Sequence, residues 1–442
     1  MIHDSQLPEL SAFRAAEQRL PFATSDSLAN TVAPQANESS PVHRWFRFKE
    51  SFSATFVRAT LQEIAKSRGR NLHMLDPFCG VGTSLVAAQQ CAAEGLSVSV
   101  TGIEYNPFIH FVAETKANWR AVDTSELLRM GGEILRQSVP HVQLPRTDSI
   151  TSGRCISRHV ARRLITLREL ITRNATDGTR SAALLGLASA IESVSRTRKD
   201  GRALRIVERP KIRVTDAVWD RWQTIADDVA FLQATIPTAT TARVVRGDGR
   251  RPTTAGILPE SIDVIITSPP YPNNIDYTEV YKLELWLLGM VSTSQEFLTL
   301  RQGTFRSHPT TRATPPTSEF LRAAKSGQLR RILWPLIERT SAMASPWRGR
   351  LLIGYFEDLY SALQEYLTVL KRGGVAIFVV GNSLHGGQSD PYLIPTDLVL
   401  AELARHVGFE VESLAVARAF RRRLSGNHFL RESVVTIRKA NA

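Results

Sequence analysis

The sequence predicts a doubly wound α/β fold. Three observations carry that prediction. From residue 71 onward, short apolar runs with strand character alternate with helical stretches, the pattern of a mostly parallel sheet covered on both faces. The run LHML (72–75) passes at once into a glycine-rich turn, DPFCGVGTS, and then into the helical LVAAQQCAAEG. A second apolar run, IDVIIT (262–267), stops as abruptly in SPPY.

Length and composition bound the rest. The 442 residues allow two or three domains, and 43% hydrophobic with 22% charged residues is an ordinary globular balance. Lys and Arg number 55 against 42 Asp and Glu, a formal charge of +13, which suggests a polyanionic partner. The excess is local: 19 basic against 13 acidic residues in 121–240, and 10 against 3 in 291–350, with the remainder neutral. That distribution fits a core carrying two basic insertions that grip nucleic acid, although solvated arginine-rich helix faces would also produce it. Three cysteines without CxxC spacing argue against a disulfide framework and a zinc site, and the ten histidines show no metal spacing, so no metal is assigned. The N-terminal MIHDSQLPEL is not a signal peptide, and the longest apolar run, Ala182–Ile191, is too short to span a membrane. A soluble, cytoplasmic protein without membrane association is expected.

The elements are expected in this order. Residues 1–41 are polar and read as a loose segment. An amphipathic helix is approached through HRWFRFKESFSATFVRATLQEI (43–64). The first core part, 42–120, continues with the strand and glycine turn at 72–84, a helix stopping at Gly95, and the strand SVSVTGIE. Segment 121–240 is a helical insertion broken by the basic loop SRTRKDGRALR (195–205), where Arg196, Arg198, Lys199, Arg202 and Arg205 are the candidate DNA contacts. Strand logic resumes in 241–290, and 291–350 is a long loop with short helices that could also contact DNA. The remainder, 351–442, reads helix (351–374), strand (375–383), helix (396–408) and two strands (409–420, 432–439).

Two motifs carry chemistry. In DPFCGVGTS, Gly80 and Gly82 permit a tight turn, and the following helix presents free N–H groups to a polar ligand. Leu85 stands where a dinucleotide fingerprint would have its third glycine, which weighs against NAD. Glu104, closing the second strand, can accept from two ribose hydroxyls, and Asp248 in GDG can accept from an adenine amino group. An adenosine-bearing cofactor without a pyrophosphate would use such a set. In TSPPY the two prolines stiffen the turn and lack N–H groups, so Ser268 and the Pro269 carbonyl form an acceptor-rich edge. That edge suits an exocyclic amine that must be held while its nitrogen attacks, and Tyr271 offers a face for stacking a base. Cys79, Cys91 and Cys155 read as structural, Trp286 and Leu287 as core, and NNIDY (273–277) as bordering the base pocket.

DPFCGVGT together with TSPPY resembles the amino-methylating DNA methyltransferases, which make N4-methylcytosine or N6-methyladenine with S-adenosylmethionine. HRWFRFKESFSATFV, IEYNP and RGGVAIFVVGNS are similar to that family's cofactor-side helix, second-strand acidic motif and later core strand, so the likeness covers roughly 42–118, 243–289 and 351–439. The resemblance implies a Rossmann-like methyltransferase sheet. It places Asp76, Phe78, Gly80, Gly82 and Thr83 around the methionine end of S-adenosylmethionine, Glu104 on its ribose and Asp248 on its adenine. Ser268, Pro269, Pro270 and Tyr271 then receive a base flipped out of double-stranded DNA. The first insertion, between IEYNP and Asp248, departs from the family's common arrangements, which leaves Asp248 the least supported of these assignments. A serine opening the second motif favours cytosine N4 over adenine N6. The role implied is site-specific DNA modification of the restriction–modification kind, with a cognate restriction endonuclease neither required nor excluded. Two other readings stay open: a tRNA guanosine methyltransferase, which would show DPPYG and an N-terminal RNA-binding domain, and a DNA-binding regulator without catalysis, which would have no use for TSPPY.

Overall fold

The computed structural model describes residues 6–24, 28, 31–138, 142–199, 203–236, 241–312, 314–343, 347–386, 390–420 and 429–441. Its strands are β1 (Phe22–Thr24), β2 (Asn71–Asp76), β3 (Ser97–Glu104), β4 (Thr197–Lys199), β5 (Leu204–Ile206), β6 (Ala242–Arg246), β7 (Ile262–Thr267), β8 (Leu370–Gly381), β9 (Ser383–His385), β10 (Tyr392–Ile394), β11 (Phe409–Ala419) and β12 (Arg431–Lys439). Strands β4–β5 and β9–β10 form small hairpins, and the others make one eight-stranded sheet in the order β1-β11-β12-β8-β7-β2-β3-β6. Only β12 runs antiparallel to its neighbours, β8 and β11. The expected doubly wound, mostly parallel sheet is present. Its inner strands read as continuous apolar runs because helices bury both faces; β7 is buried at every position. The single carboxylate in β7, Asp263, is satisfied by the Lys371 ammonium at 2.8 Å and the His73 N–H at 2.9 Å.

Strand order decides where a ligand can bind. From β2 the chain winds outward through β3 and β6, then returns to β7 on the other side of β2 and continues away through β8. The loops leaving β2 and β7 therefore diverge and open a crevice at the carboxyl ends of these strands. The glycine turn follows β2 and SPPY follows β7.

Three apolar cores hold the layers together. One joins the sheet to α1 (Leu10–Glu17), α10 (Trp334–Ala342), α11 (Trp347–Val369) and α12 (Thr396–Val407). Another joins the opposite face to α2 (Ala54–Arg68), α3 (Thr83–Gln90) and part of α4 (Pro107–Ala117). The third lies between the outer side of α4 and the insertion helices α5 (Thr124–Ile134), α6 (Arg158–Asn174), α7 (Asp177–Val194) and α8 (Val214–Thr235), together with α9 (Lys282–Leu287). Trp222 of α8 fills its centre, donating to the Ala183 carbonyl at 2.9 Å. Among the described residues, no helix is long and apolar enough to cross a membrane.

Four expectations are corrected. The N-terminal segment is not loose where it is described: α1 buries Leu10, Phe13 and Ala16, and β1 adds a parallel edge strand beside β11. Phe13 meets Phe429 edge-on, and the buried Arg431 guanidinium pairs with Glu17, so this segment closes over the sheet. The helix expected to be approached from residue 43 begins only at Ala54, behind the Ser53 cap, whose hydroxyl accepts from the Thr55 N–H at 3.1 Å. Residues upstream are diverted because Trp45 and Phe46 enter the third core, and the buried Lys116 ammonium holds the His43 and Phe46 carbonyls. The basic loop 195–205 is a hairpin, β4–β5, with Arg202 outside the described residues. Helix α11 also ends earlier than expected, at Val369, because Leu370 already pairs with Ile262 of β7.

Candidate active site

One cavity of about 410 Å³ opens in the crevice. It is lined from the first motif by Phe78, Gly80 and Thr83, from the strand ends by Glu104 and Asp248, and from the second motif by Ser268, Pro269, Pro270 and Tyr271. Phe78 and Tyr271, 193 positions apart in sequence, thus share one space.

The first motif is shaped by close approach. Gly82 caps α3 with φ +81°, and a side chain there would sit 3.1 Å from the Ala113 backbone of α4. Gly82 faces that helix and not the cavity. Asp76 is a second correction of this kind: it is fully buried, and its carboxylate is occupied by the Ser84 hydroxyl at 2.5 Å, the Thr267 hydroxyl at 2.8 Å and the Phe78 N–H at 3.2 Å. Burial raises its carboxyl to about 6 despite those donors. Asp76 therefore ties the turn after β2 to the last residue of β7, fixing one motif against the other without touching the cavity. Cys79 is buried, its thiol pushed up by desolvation, and is no nucleophile.

Glu104 ends β3 with one carboxylate oxygen accepting from the Asn106 N–H at 2.7 Å. Burial raises its carboxyl to about 7; the backbone N–H groups of Asn106, Tyr105 and Gly80 oppose that shift and the Asp76 charge adds to it. Beside it, Asn106 caps α4 through its side-chain oxygen, while its buried Nδ2 has no hydrogen-bond partner among the described residues. Of the two, the Glu104 carboxylate is the polar group offered to the cavity. Asp248 lines the same wall, but Arg250 grips both its oxygens at 2.8–3.0 Å and reaches on to Asp358 at 2.8 Å.

In the second motif, Tyr271 lies against Gly381 of β8, where a side chain would come within 2.7 Å of its ring. Its hydroxyl donates to Glu432 of β12 at 3.0 Å and receives the Ser268 hydroxyl at 3.4 Å. Glu432 is also held by Arg418 at 2.8 Å. An ionised carboxylate only accepts, so it fixes the direction of the chain: Ser268 donates to Tyr271, Tyr271 donates to Glu432, and the remaining Ser268 lone pairs are left as acceptors. Burial and the Glu432 charge push the Tyr271 phenol up, keeping it a donor.

Several lining residues have no signal in the motifs. Glu432 and Arg418 come from the last two strands, Phe305 and Thr304 from the second insertion, and Phe48 stacks between Tyr277 and Tyr281 with interplanar angles of 19° and 16°. Of NNIDY, Asn273, Ile275 and Tyr277 border the cavity, whereas Asp276 is buried and bound to Arg301 and Thr310. Trp286 and Leu287 are buried. Of the basic hairpin, Arg196, Arg198 and Arg205 are exposed. Lys199 is not: it turns inward onto Glu284 and over the rings of Phe46 and Tyr281, so its charge is spent inside the protein.

No family model matches the chain. It is 28% identical to the Type II methyltransferase M.AvaI of Nostoc sp. (strain PCC 7120), over 93% of this chain and 89% of that one. It is 26% identical to the Type II methyltransferase M.BsoBI of Geobacillus stearothermophilus, over 86% and 81% respectively. Likenesses among solved structures are remote. The rRNA methyltransferase aviRa of Streptomyces viridochromogenes has a TM-score of 0.31 and 11% identity, covering 88% of this chain and 86% of that one. TrmN of Thermus thermophilus has a TM-score of 0.28 and 10% identity, over 88% of this chain and 49% of that one.

Proposed function

We propose that this chain, one of the S-adenosylmethionine-dependent methyltransferases and a relative of the Type II enzymes among them, methylates the exocyclic amine of a base flipped from double-stranded DNA, with cytosine N4 as the target. The observation that carries the proposal is one cavity lined both by Ser268 and Pro269 and by Glu104 and Asn106. That wall fits the cofactor: the Glu104 carboxylate can accept from the two hydroxyls of a ribose, and Gly80 lets backbone approach. When bound, S-adenosylmethionine supplies a sulfonium methyl group, a ready electrophile.

The residues of the chain act by holding and by excluding water. An amine conjugated with its ring is a poor nucleophile, so two acceptors aimed at its hydrogens favour the tetrahedral nitrogen with a free lone pair. Ser268 Oγ can serve because its own hydrogen is directed to Tyr271. Flipping costs a few kcal/mol, and stacking on an aromatic ring returns roughly 1–3 kcal/mol of it. Tyr271 offers that ring, held in place by Gly381 behind it and Glu432 at its hydroxyl.

The direct test is incubation with tritiated S-adenosylmethionine and separate DNA and RNA, followed by nucleoside mass spectrometry. N4-methylcytosine in DNA is expected; N6-methyladenine would replace the target base, and label confined to RNA would overturn the proposal. A pH dependence follows from Glu104. The ionised carboxylate is the better acceptor, and it forms as pH rises through about 7. Cofactor affinity should therefore strengthen from pH 6 to 8, changing by up to about tenfold per unit below 7, with proton release on binding. Calorimetry in buffers of different ionisation enthalpy measures both. Glu104→Gln should bind more weakly and without pH dependence; a parent-like profile in that variant would remove Glu104 from the cofactor site.

A further inference from the structure

A second cleft, of about 660 Å³, adjoins the cavity and shares Phe48, Lys49, Ser51, Val81, Thr83 and Arg418 with it. Its walls come from the segment 43–51, α7, the β4 strand and α8. Nine lysines and arginines line it against two glutamates, Glu38 and Glu192. Much of that charge is committed inside the protein. Arg44 is held by the buried Asp228, Lys199 by the buried Glu284, Arg209 by Glu192 and Arg418 by Glu432, while the Lys49 and Lys116 ammonium groups donate to backbone carbonyls.

Three cations are different. Arg47 is 65% exposed and, among the described residues, is ion-paired only with the exposed Glu38, a pair that contributes little in water. Arg198 points outward from β4, directly across from Arg205 in the hairpin register, two like charges side by side. Arg221 lines the cleft from α8, and neither it nor Arg198 is ion-paired among the described residues. Strand alternation explains the split: Lys199 faces in and anchors the hairpin, so Arg198 must face out. Arg418 belongs to both spaces, and its carboxylate partner Glu432 also holds Tyr271.

We propose that this cleft seats the sugar–phosphate backbone of the DNA strand that carries the target base. Arg47, Arg198 and Arg221 face its phosphates, and Arg418 marks the mouth through which the base turns toward Tyr271. The proposal rests on the methyltransferase reading above. Continuity is its main support: a partner that sends a planar base into one space must lay its backbone along the adjoining one, and that space carries the uncommitted cations. None of the described residues of 291–350 lines this cleft.

The experiment compares the parent, the double variant Arg47→Ala/Arg198→Ala, Arg221→Ala and, as a control, Arg129→Ala on the exposed face of α5. Binding of a fluorescent DNA duplex and of an RNA hairpin is followed by anisotropy over a salt series, with S-adenosylmethionine calorimetry as the check on folding. The double variant should flatten the slope of log affinity against log salt by about two units and weaken duplex binding more than about tenfold. Arg221→Ala should flatten it by about one unit, with cofactor binding intact and the Arg129→Ala protein unchanged. Variants that bind duplex with the parental slope overturn the cleft while leaving the methyltransferase reading standing. A parent that binds the RNA hairpin and not the duplex overturns that reading itself.

Discussion

Ser268→Ala should slow single-turnover methylation of unmethylated genomic DNA by about a hundredfold, roughly 2.7 kcal/mol of barrier, while S-adenosylmethionine binds nearly as to the parent. The asymmetry follows from what is removed. The acceptor matters most as the amine nitrogen becomes tetrahedral, so its loss falls on the rate more than on DNA affinity. The glycine turn, Glu104 and Asn106 are untouched. Tyr271→Ala should lower turnover as well, by deleting both the stacking face and the hydroxyl that receives the Ser268 hydrogen. Two gentler variants separate those effects. Tyr271→Phe keeps the ring and frees the serine hydrogen to point at the amine. Glu432→Gln replaces a pure acceptor with an amide that can donate, which allows the hydroxyl chain to reverse. Each should cost about tenfold in rate without weakening DNA binding. If Ser268→Ala methylates at the parental rate, or a folded variant loses the cofactor, the base pocket is misassigned.

The sequence disclosed what depends on local order and hid what depends on return of the chain. Strand–turn–helix at 72–90 and the abrupt end of IDVIIT are contiguous signals, and the two turns they define do meet in one cavity. Asp76 shows the limit of motif reading. It sits inside the motif, yet its contacts run to Thr267, 191 positions away, and make it a brace. Glu432 and Arg418 reach the site only because β12 runs antiparallel between β8 and β11, a pairing that no local pattern specifies. The N-terminal segment misled for a simpler reason. Its apolar positions, Leu10, Phe13 and Ala16, are few and helically spaced among polar neighbours, so composition concealed a buried face. Charge counting found the insertions but could not sort their cations. Lys199 and Arg198 are adjacent, and only the strand's alternation sends one inward and the other out.

That sorting sets the largest expected change in stability. Glu284→Ala should destabilise the folded protein by about 3 kcal/mol, because it leaves the largely buried Lys199 ammonium with only the Glu192 carboxylate, 3.9 Å away and shared with Arg209. Glu284 is almost wholly buried, Lys199 nearly so, and the ammonium lies 4.9 Å from the ring centres of both Phe46 and Tyr281. Those rings offset part of the ammonium's desolvation but supply no counter-charge. Nor is the carboxylate fully satisfied, since its second oxygen has no partner among the described residues. A pair of this kind is costly to break and easy to replace. Lys199→Met with Glu284→Leu, which keeps volume and removes both charges, should therefore recover most of the loss or exceed the parent. Urea unfolding of the parent, the single variant and the double variant measures this, with the cofactor absent so that binding does not mask it. The two roles of the hairpin separate in the same set. The double variant should keep its duplex affinity, because Arg198 stays outward on an anchored strand. A single variant as stable as the parent would show that Lys199 finds water once Glu284 is gone, and that the hairpin is not fastened through this pair.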